Sequence, residues 1–266
     1  MQMDFAPLFS GSSGNATYVR IQDTRLLVDA GVSGARIAAE LKKLDVAPDM
    51  LDALLVTHEH ADHIAGIGVL SRRYHLPVYA TQGTWEAMAG KVGAIDPANR
   101  RVIPAGQDFY LNQVEVTPFP IPHDAAEPVG YAFAAQGIKV AVATDLGHLS
   151  DSWMDPLEGC DLLLLESNHD VEMLKAGRYP YELKRRILGR KGHLSNEDAA
   201  RAAQELAARG VKRILLGHLS RENNFPELAY RTVAQCLEQA GTWVSALEVA
   251  RRDCLTGVYH LASGEI

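Results

Sequence analysis

The chain carries a dense group of metal-ligand side chains at the end of a short apolar run, Leu54-Leu55-Val56-Thr57-His58-Glu59-His60-Ala61-Asp62-His63. The apolar residues at its start predict a buried strand. Side chains alternate along a strand, so His58 and His60 point to the same side of it. Asp62 and His63 then leave the strand and open the next apolar-periodic segment. Because neutral imidazole and carboxylate bind divalent transition metals, most commonly zinc, the run predicts a metal site.

Length and composition limit the class of protein. The 266 residues are enough for one large domain or two small ones, and a net charge of −7 excludes a generally basic surface while allowing a local basic patch. The three cysteines are far apart and form no C-x-x-C pair, which argues against disulfides and thiolate metal sites. No apolar run reaches membrane-spanning length, and the first residues do not form a basic segment followed by an apolar one. We therefore predict a cytoplasmic protein that does not enter the membrane.

Other predicted strands also end in residues that can bind a metal. Residues 140–144 lead to Asp145, residues 162–165 to Glu166, and residues 213–216 to His218. Residues 118–128 are rich in proline and predict a stiff loop that presents His123. Because ligands gather beyond the ends of strands, these side chains are expected to converge and to hold two metal ions bridged by a carboxylate.

The order of the predicted elements indicates the architecture. A β-rich stretch followed by helices occurs twice, which predicts one domain made of two similar sheet-plus-helix halves, approximately residues 1–140 and 141–266, with the helices outside. One helix is predicted over residues 62–74. Another is predicted over residues 195–208, with Ser195 as its N-cap. Asp29 follows a strand and is assigned a supporting role, accepting the ring N–H of a metal-binding histidine.

The chain resembles metallo-β-lactamase-fold hydrolases over essentially its full length. The resemblance rests on residues found in one order along the chain: Asp29, His58-x-His60-x-Asp62-His63, His123, Asp145 and His218. It implies an α+β fold, a four-layer αββα sandwich with the site at one edge. It further implies two divalent cations, zinc or manganese first and iron as an alternative. By this resemblance one ion is held by His58, His60 and His123, the other by Asp62, His63 and His218, and Asp145 bridges the two.

The second half of the chain is similar to nucleases of this superfamily. Glu166-Ser167-Asn168-His169-Asp170 and Gly192-His193-Leu194-Ser195 resemble motifs of the tRNA 3′-processing nuclease RNase Z. By that similarity His193 is the general acid, Glu166 orients and charges it, and Asp62 belongs with them to the catalytic group. Together with these two motifs, Phe9-Ser10-Gly11-Ser12-Ser13-Gly14-Asn15 and residues 217–224 resemble the YycJ/WalJ branch. That branch implies a 5′-to-3′ exonuclease acting on DNA rather than RNA, in which a metal hydroxide attacks phosphorus.

The sequence allows more than one explanation for the candidate substrate contacts and more than one function. The loop that carries Ser10, Ser12, Ser13 and Asn15 suits a phosphate, and an ordinary hairpin turn explains it equally well. Arg221 and Lys191 are further candidates, and Lys191 belongs to a basic run that can equally be a solvated helix face. Asp124, His75 and His260 are expected to have no role. The alternative functions are a small-molecule hydrolase, either a cyclic phosphodiesterase or a thioesterase, and a binding module without catalysis.

Overall fold

A computed structural model of the chain describes residues 2–262. Its strands are β1 Gln2–Gly11, β2 Gly14–Ile21, β3 Thr24–Val28, β4 Ala53–Leu55, β5 Val78–Ala80, β6 Arg100–Val102, β7 Phe109–Leu111, β8 Val114–Pro120, β9 Val129–Ala135, β10 Ile138–Ala143, β11 Leu162–Glu166, β12 Arg213–Gly217, β13 Ala246–Val249 and β14 Tyr259–Ala262. Its α-helices are α1 Gly34–Lys42, α2 Ala61–Ile64, α3 Ile67–Tyr74, α4 Gln82–Met88, α5 Asp151–Met154, α6 Val171–Ala176, α7 Tyr181–Ile187, α8 Asn196–Ala208 and α9 Pro226–Ala240. Among residues 2–262, none of the helices combines the length and the apolar character that crossing a bilayer requires.

The strands form two mixed seven-stranded sheets, with the orders β14-β1-β2-β3-β4-β5-β6 and β13-β12-β11-β10-β9-β8-β7. Strands β3 to β6 run parallel to one another. Strands β10 to β13 do the same in the second sheet. The carboxyl ends of these parallel strands define one edge in each sheet, and parallel strands need both faces covered.

Alternation along the strands explains how both faces are covered. In β3, Leu26 and Val28 belong to the apolar cluster between the two sheets, and Leu27 belongs to the cluster under the helices of the first sheet. In β11, Leu164 faces the other sheet while Leu163 packs with residues of α8 and α9. Each sheet is thus buried by the other on one side and by helices on the other. The predicted αββα sandwich is confirmed.

The helix predicted over residues 62–74 is wrong in one respect, because the structure divides it into α2 and α3. Gly66 lies at the break, and its amide donates to the carbonyl of Ala30 at 2.7 Å. A Cβ atom at this position would lie 2.5 Å from the carbonyl oxygen of Val32. The loop after β3 therefore passes so close to this turn that the helical pattern is interrupted.

Two further differences concern the second sheet. Strand β8 continues to Pro120, although the prolines predict an irregular loop from residue 118. Strand β7 pairs with β8 only as far as Val116, so β8 has a single neighbouring strand, β9, where the prolines lie.

The chain also changes sheet between β6 and β7, earlier than the half boundary expected near residue 140, and β14 returns to the first sheet. The reason is that β7, β8 and β9 pair in sequence with β10 as antiparallel hairpins.

Candidate metal centre

The candidate ligands gather at the edge where the parallel strands of both sheets end. Asp29 directly follows β3, and His58 lies shortly after β4. In the second sheet Asp145 lies shortly after β10, Glu166 ends β11, and His218 directly follows β12. The sequence places His58 and His60 on the strand itself, but β4 ends at Leu55, so both lie in the loop between β4 and α2. Asp62 and His63 leave the strand as predicted and lie in α2.

Three of these residues adopt a left-handed backbone conformation. The φ angles are 60° at Asp29, 62° at Asp145 and 55° at His218. This conformation costs of order 1–3 kcal/mol for a non-glycine residue, so the surroundings must hold it. The amide of Asp29 donates to the carbonyl of Leu55 at 2.8 Å, and the amide of His218 donates to Oγ of Ser10 at 3.1 Å. The strand ends are therefore fixed by bonds to other parts of the fold.

The first group of donors consists of His58, His60 and His123, whose ligand atoms lie within 4.8 Å of one another. Nδ1 of His123 faces the carbonyl of Gly192 at 3.1 Å, which leaves Nε2 of that ring for the site. This Nε2 lies 3.2 Å from Nδ1 of His60. These two imidazole nitrogens face each other and could bind the same cation.

The second group consists of Asp62, His63 and His218, again within 4.8 Å. Nε2 of His63 lies 3.6 Å from Oδ2 of Asp62. The rings of His63 and His218 are stacked, with their centroids 5.7 Å apart. Both imidazoles are buried, whereas the side chain of Asp62 is 26% exposed. The group thus opens to solvent on the side of Asp62.

The carboxylate of Asp145 lies between the two groups. Its Oδ2 is 3.3 Å from Nε2 of His63, and its Oδ1 is 3.4 Å from Nε2 of His218. The same Oδ1 is 3.7 Å from Nε2 of His123 in the first group. One carboxylate therefore reaches donors of both groups, as a bridging ligand must.

The donors fit divalent cations. Nε2 of His58 and Oδ2 of Asp145 are buried without a hydrogen-bond partner among the described residues, so each lacks the partner that a buried polar atom needs. Burial lowers the pKa of His58 well below its usual range. Burial alone would raise the pKa of Asp145, but the surrounding histidines hold it well below its usual range. Neutral imidazoles and an ionised carboxylate are the forms that bind a metal.

Electrostatics at the centre also favours cations. Burial disfavours a charged His63 ring, yet the carboxylates of Asp145, Asp29 and Asp62 raise its pKa to about 10. Three carboxylates near one buried ring create a negative potential, and this potential attracts either a proton or a metal ion.

Asp29 contacts His63 of the second group. Its Oδ2 lies 2.7 Å from Nδ1 of His63, so Nε2 of that ring faces the centre. The carboxylate also accepts from the amide and the hydroxyl of Thr57, each at 2.8 Å. Thr57, which the sequence argument did not single out, thus fixes Asp29.

Glu166 and His193 form a pair beside the two donor groups. Oε1 of Glu166 lies 2.8 Å from Nδ1 of His193. The other carboxylate oxygen accepts from the amides of Leu146 at 2.7 Å and Leu194 at 3.1 Å, and the residue is fully buried. Burial lowers the pKa of His193, but the charge and hydrogen bond of Glu166, together with the charges of Asp145 and Asp62, outweigh burial and raise it to about 9. The ring stacks on His218 with the centroids 5.4 Å apart.

The serine-rich stretch after residue 9 is a tight hairpin between β1 and β2, so the hairpin-turn interpretation holds for its backbone. Ser10 is buried and its hydroxyl is used by the amide of His218. Asn15 places Oδ1 3.2 Å from Nδ1 of His218 and Nδ2 3.0 Å from Nε2 of His63. Ser12 and Ser13 are exposed at the tip. Ser10 and Asn15 therefore hold His218 of the second group, while Nδ2 of Asn15 faces the same nitrogen of His63 that faces Asp145.

The remaining substrate-binding candidates lie at the surface. The side chain of Arg221 is 65% exposed, with Nη2 3.6 Å from Oδ2 of Asp253, and Lys191 is exposed in the turn before His193.

Asp124, for which the sequence predicts no role, has Oδ1 3.4 Å from Nε2 of His123 and pairs with Arg186. Its position directly after His123 was the one signal available in the sequence.

Comparison with known proteins places this arrangement in a family. The family model described as a beta-lactamase superfamily domain matches residues 24–219. The chain is 44% identical over 254 residues to exodeoxyribonuclease YycJ of Bacillus anthracis, covering 95% of this chain and 96% of that protein. It is 42% identical over 238 residues to exodeoxyribonuclease WalJ of Streptococcus pneumoniae, covering 89% and 88%. The metallo-beta-lactamase fold protein YhfI from Bacillus subtilis superposes with a TM-score of 0.72 over 98% of this chain and 100% of that one, at 20% identity.

Proposed function

We propose, from the premise that this chain belongs to the YycJ/WalJ branch of the metallo-β-lactamase superfamily, that it is a 5′-to-3′ exodeoxyribonuclease with two divalent cations. The observation that carries the proposal is Asp145, one carboxylate that reaches two groups of ligand-type side chains beside the Glu166–His193 pair. This arrangement places a site for cations beside a histidine that can donate a proton, and both lower the barrier to hydrolysis of a phosphodiester.

We assign one cation to His58, His60 and His123 and the other to Asp62, His63 and His218, with Asp145 shared. When bound, two divalent ions supply hydroxide at neutral pH and offset the charge on the attacking and leaving oxygens. Zinc or manganese is our first assignment and iron the alternative, because His and Asp ligands accept all three.

His193 supplies the proton for the leaving sugar oxygen in this proposal. With a pKa of about 9 its ring is charged at neutral pH, and Glu166 holds it through Nδ1. A side-chain exposure of 18% leaves part of the ring open to a substrate. A sugar alkoxide is a poor leaving group, and a positioned acid contributes about 10²–10⁴-fold to the rate.

The substrate proposed is DNA, with Ser12, Ser13, Arg221 and Lys191 as surface contacts to its phosphates. Exposed hydroxyls and cations at the rim suit phosphate oxygens, which provide position without sequence preference. Ser10 and Asn15 are reassigned to the support of the histidines. The separated cysteines, which are free in the structure, support a reducing compartment such as the cytoplasm.

An end-labelled substrate screen tests the function. Oligonucleotides of DNA and RNA, single- and double-stranded and labelled at either end, are incubated with protein loaded with zinc, manganese or iron. We expect release of labelled mononucleotides from the 5′ end of DNA. A cyclic phosphodiester and a thioester are included, and preferred turnover of either, with DNA and RNA intact, would reject the nuclease proposal.

A further inference from the structure

We infer that Arg186 binds a backbone phosphate of the nucleic acid next to the metal centre, an assignment that rests on the proposed function. Arg186 lies on α7 and forms a two-point pair with Asp124, its Nη2 3.1 Å from Oδ1 and its Nε bonded to Oδ2. The same Oδ1 is 3.4 Å from Nε2 of His123. A single carboxylate therefore separates the guanidinium from the first group of donors.

The other cations of this helix are oriented differently. Nζ of Lys184 donates to the carbonyls of Lys175 and Gly177, each at 2.7 Å, so it joins α7 to α6. Arg185 pairs with Glu182 at 3.5 Å on the exposed face of α7. Within this helix, as the structure describes it, Arg186 is the cation that reaches the centre.

Arg186 is accessible because α7 lies at the surface. None of the α7 side chains is buried, and the side chain of Arg186 is 51% exposed. The planar guanidinium fork matches a phosphate as well as a carboxylate. Both side chains of the pair are partly exposed, Arg186 at 51% and Asp124 at 29%, so a phosphate can reach the guanidinium and replace Asp124 as its partner. In the protein without DNA, Asp124 thus fixes the orientation of the Arg186 guanidinium.

The experiment compares R186A, R186Q and D124A with the wild type, and with R201A as a matched control. Arg201 also forms an arginine–aspartate pair, with Asp198, on the outer side of α8, where its side chain is 67% exposed. DNA binding is measured by fluorescence anisotropy at several salt concentrations with metal-free protein, which separates binding from catalysis. Cleavage of DNA and of bis(4-nitrophenyl) phosphate is measured with metal-loaded protein, and bound metal is quantified in each variant.

We expect R186A and R186Q to weaken DNA binding about tenfold and to reduce the slope of log affinity against log salt by about 0.7–0.9, the value for one lost phosphate contact. The ratio of DNA cleavage to cleavage of the small diester should fall by a similar factor. D124A should bind DNA at least as tightly as the wild type, because it frees the fork and removes a negative charge. R201A should match the wild type.

Other results separate the possible failures. If R186A and D124A weaken DNA binding equally, the pair is a structural brace and the assignment is wrong. An unchanged salt slope in R186A and R186Q, with metal content preserved, also rejects it. R186Q keeps the assignment testable if R186A does not fold. If wild-type protein neither binds nor cleaves DNA, the proposed function itself fails.

Discussion

The Nδ1 atom of His193 lies 2.8 Å from Oε1 of Glu166, a carboxylate that is fully buried. Since the second oxygen of Glu166 already accepts two amides, the carboxylate cannot turn away from the ring. Glu166 therefore fixes both the position and the charge of His193. If His193 donates a proton, as we propose, its removal should leave the cations bound, so proton donation and metal binding can be tested independently.

Removal of His193 should lower the rate without removing the metal. In His193→Ala we expect both cations to stay bound and turnover of DNA to fall about 10²–10⁴-fold, the usual contribution of a positioned acid. In His60→Ala, which removes a donor of the first group, we expect metal content and turnover to fall together. Metal analysis beside initial rates gives both quantities. The control is His75→Asn, because His75 is exposed and Asn tolerates its left-handed backbone. Equal metal loss in His193→Ala and His60→Ala would contradict the role of His193.

Substitution of Glu166 should move the alkaline limit of activity. His193 must be protonated to act as an acid, and its pKa is about 9, so activity should decline as pH rises through that value. Glu166→Gln removes the negative charge that raises this pKa, so the decline should begin at lower pH. Rates on DNA between pH 6 and 10 measure the shift. An alkaline limb at the same pH in both proteins would show that another group controls it.

Asn15 should matter for metal binding rather than for substrate binding. Its Oδ1 lies 3.2 Å from Nδ1 of His218, whose Nε2 faces Asp145, and loss of such a supporting contact typically lowers metal affinity 10–100-fold. We expect Asn15→Ala to lose metal in a chelator competition, whereas Ser13→Ala, at the exposed tip of the same hairpin, keeps metal and weakens DNA binding. The opposite pattern would restore Asn15 as a phosphate contact.

His169 should make the protein less stable in acid. The residue is 1% exposed, neither ring nitrogen has a hydrogen-bond partner among the described residues, and burial lowers its pKa to about 4. A histidine in the unfolded chain has a pKa of about 6.5, so between that pH and about pH 4 the unfolded state binds a proton at His169 that the folded state does not bind. Stability should therefore be full above about pH 6.5 and fall towards about pH 4, by about 3 kcal/mol at most. In urea unfolding at pH 7 and pH 4.5, His169→Leu should lose less stability than the wild type; an equal loss would exclude His169 as the source.

The sequence can bring the candidate ligands to one edge of the fold because each is local to an element that it also predicts. His58 and His60 follow an apolar strand, and Asp145 and His218 follow two more, so the rule that strand ends converge brings them together. The unbroken apolar run from Leu162 to Leu165 likewise predicts a strand buried on both faces, and the resemblance to metallo-β-lactamase-fold hydrolases implies the αββα order.

The differences arise from contacts between distant parts of the chain. Gly66 ends a helix because the loop after β3 passes over it, and no local pattern near Gly66 records that loop. Asn15 supports His218 across 203 positions, and Arg186 meets Asp124 across 62. Residues such as Ser10 and Asn15 look like a phosphate loop because the same side chains that bind phosphate also bind backbone amides and imidazoles.

The left-handed backbone at Asp29, Asp145 and His218 also predicts how the protein behaves when its ions are removed. The bonds that hold these turns come from Leu55, Glu166 and Ser10, all parts of the polypeptide. We therefore expect the site to keep its shape without metal, unlike small domains that fold only around zinc. A chelator should give an inactive protein that remains folded. The same molecules can then be reloaded with one metal after another, so that different ions are compared in a single unchanged scaffold.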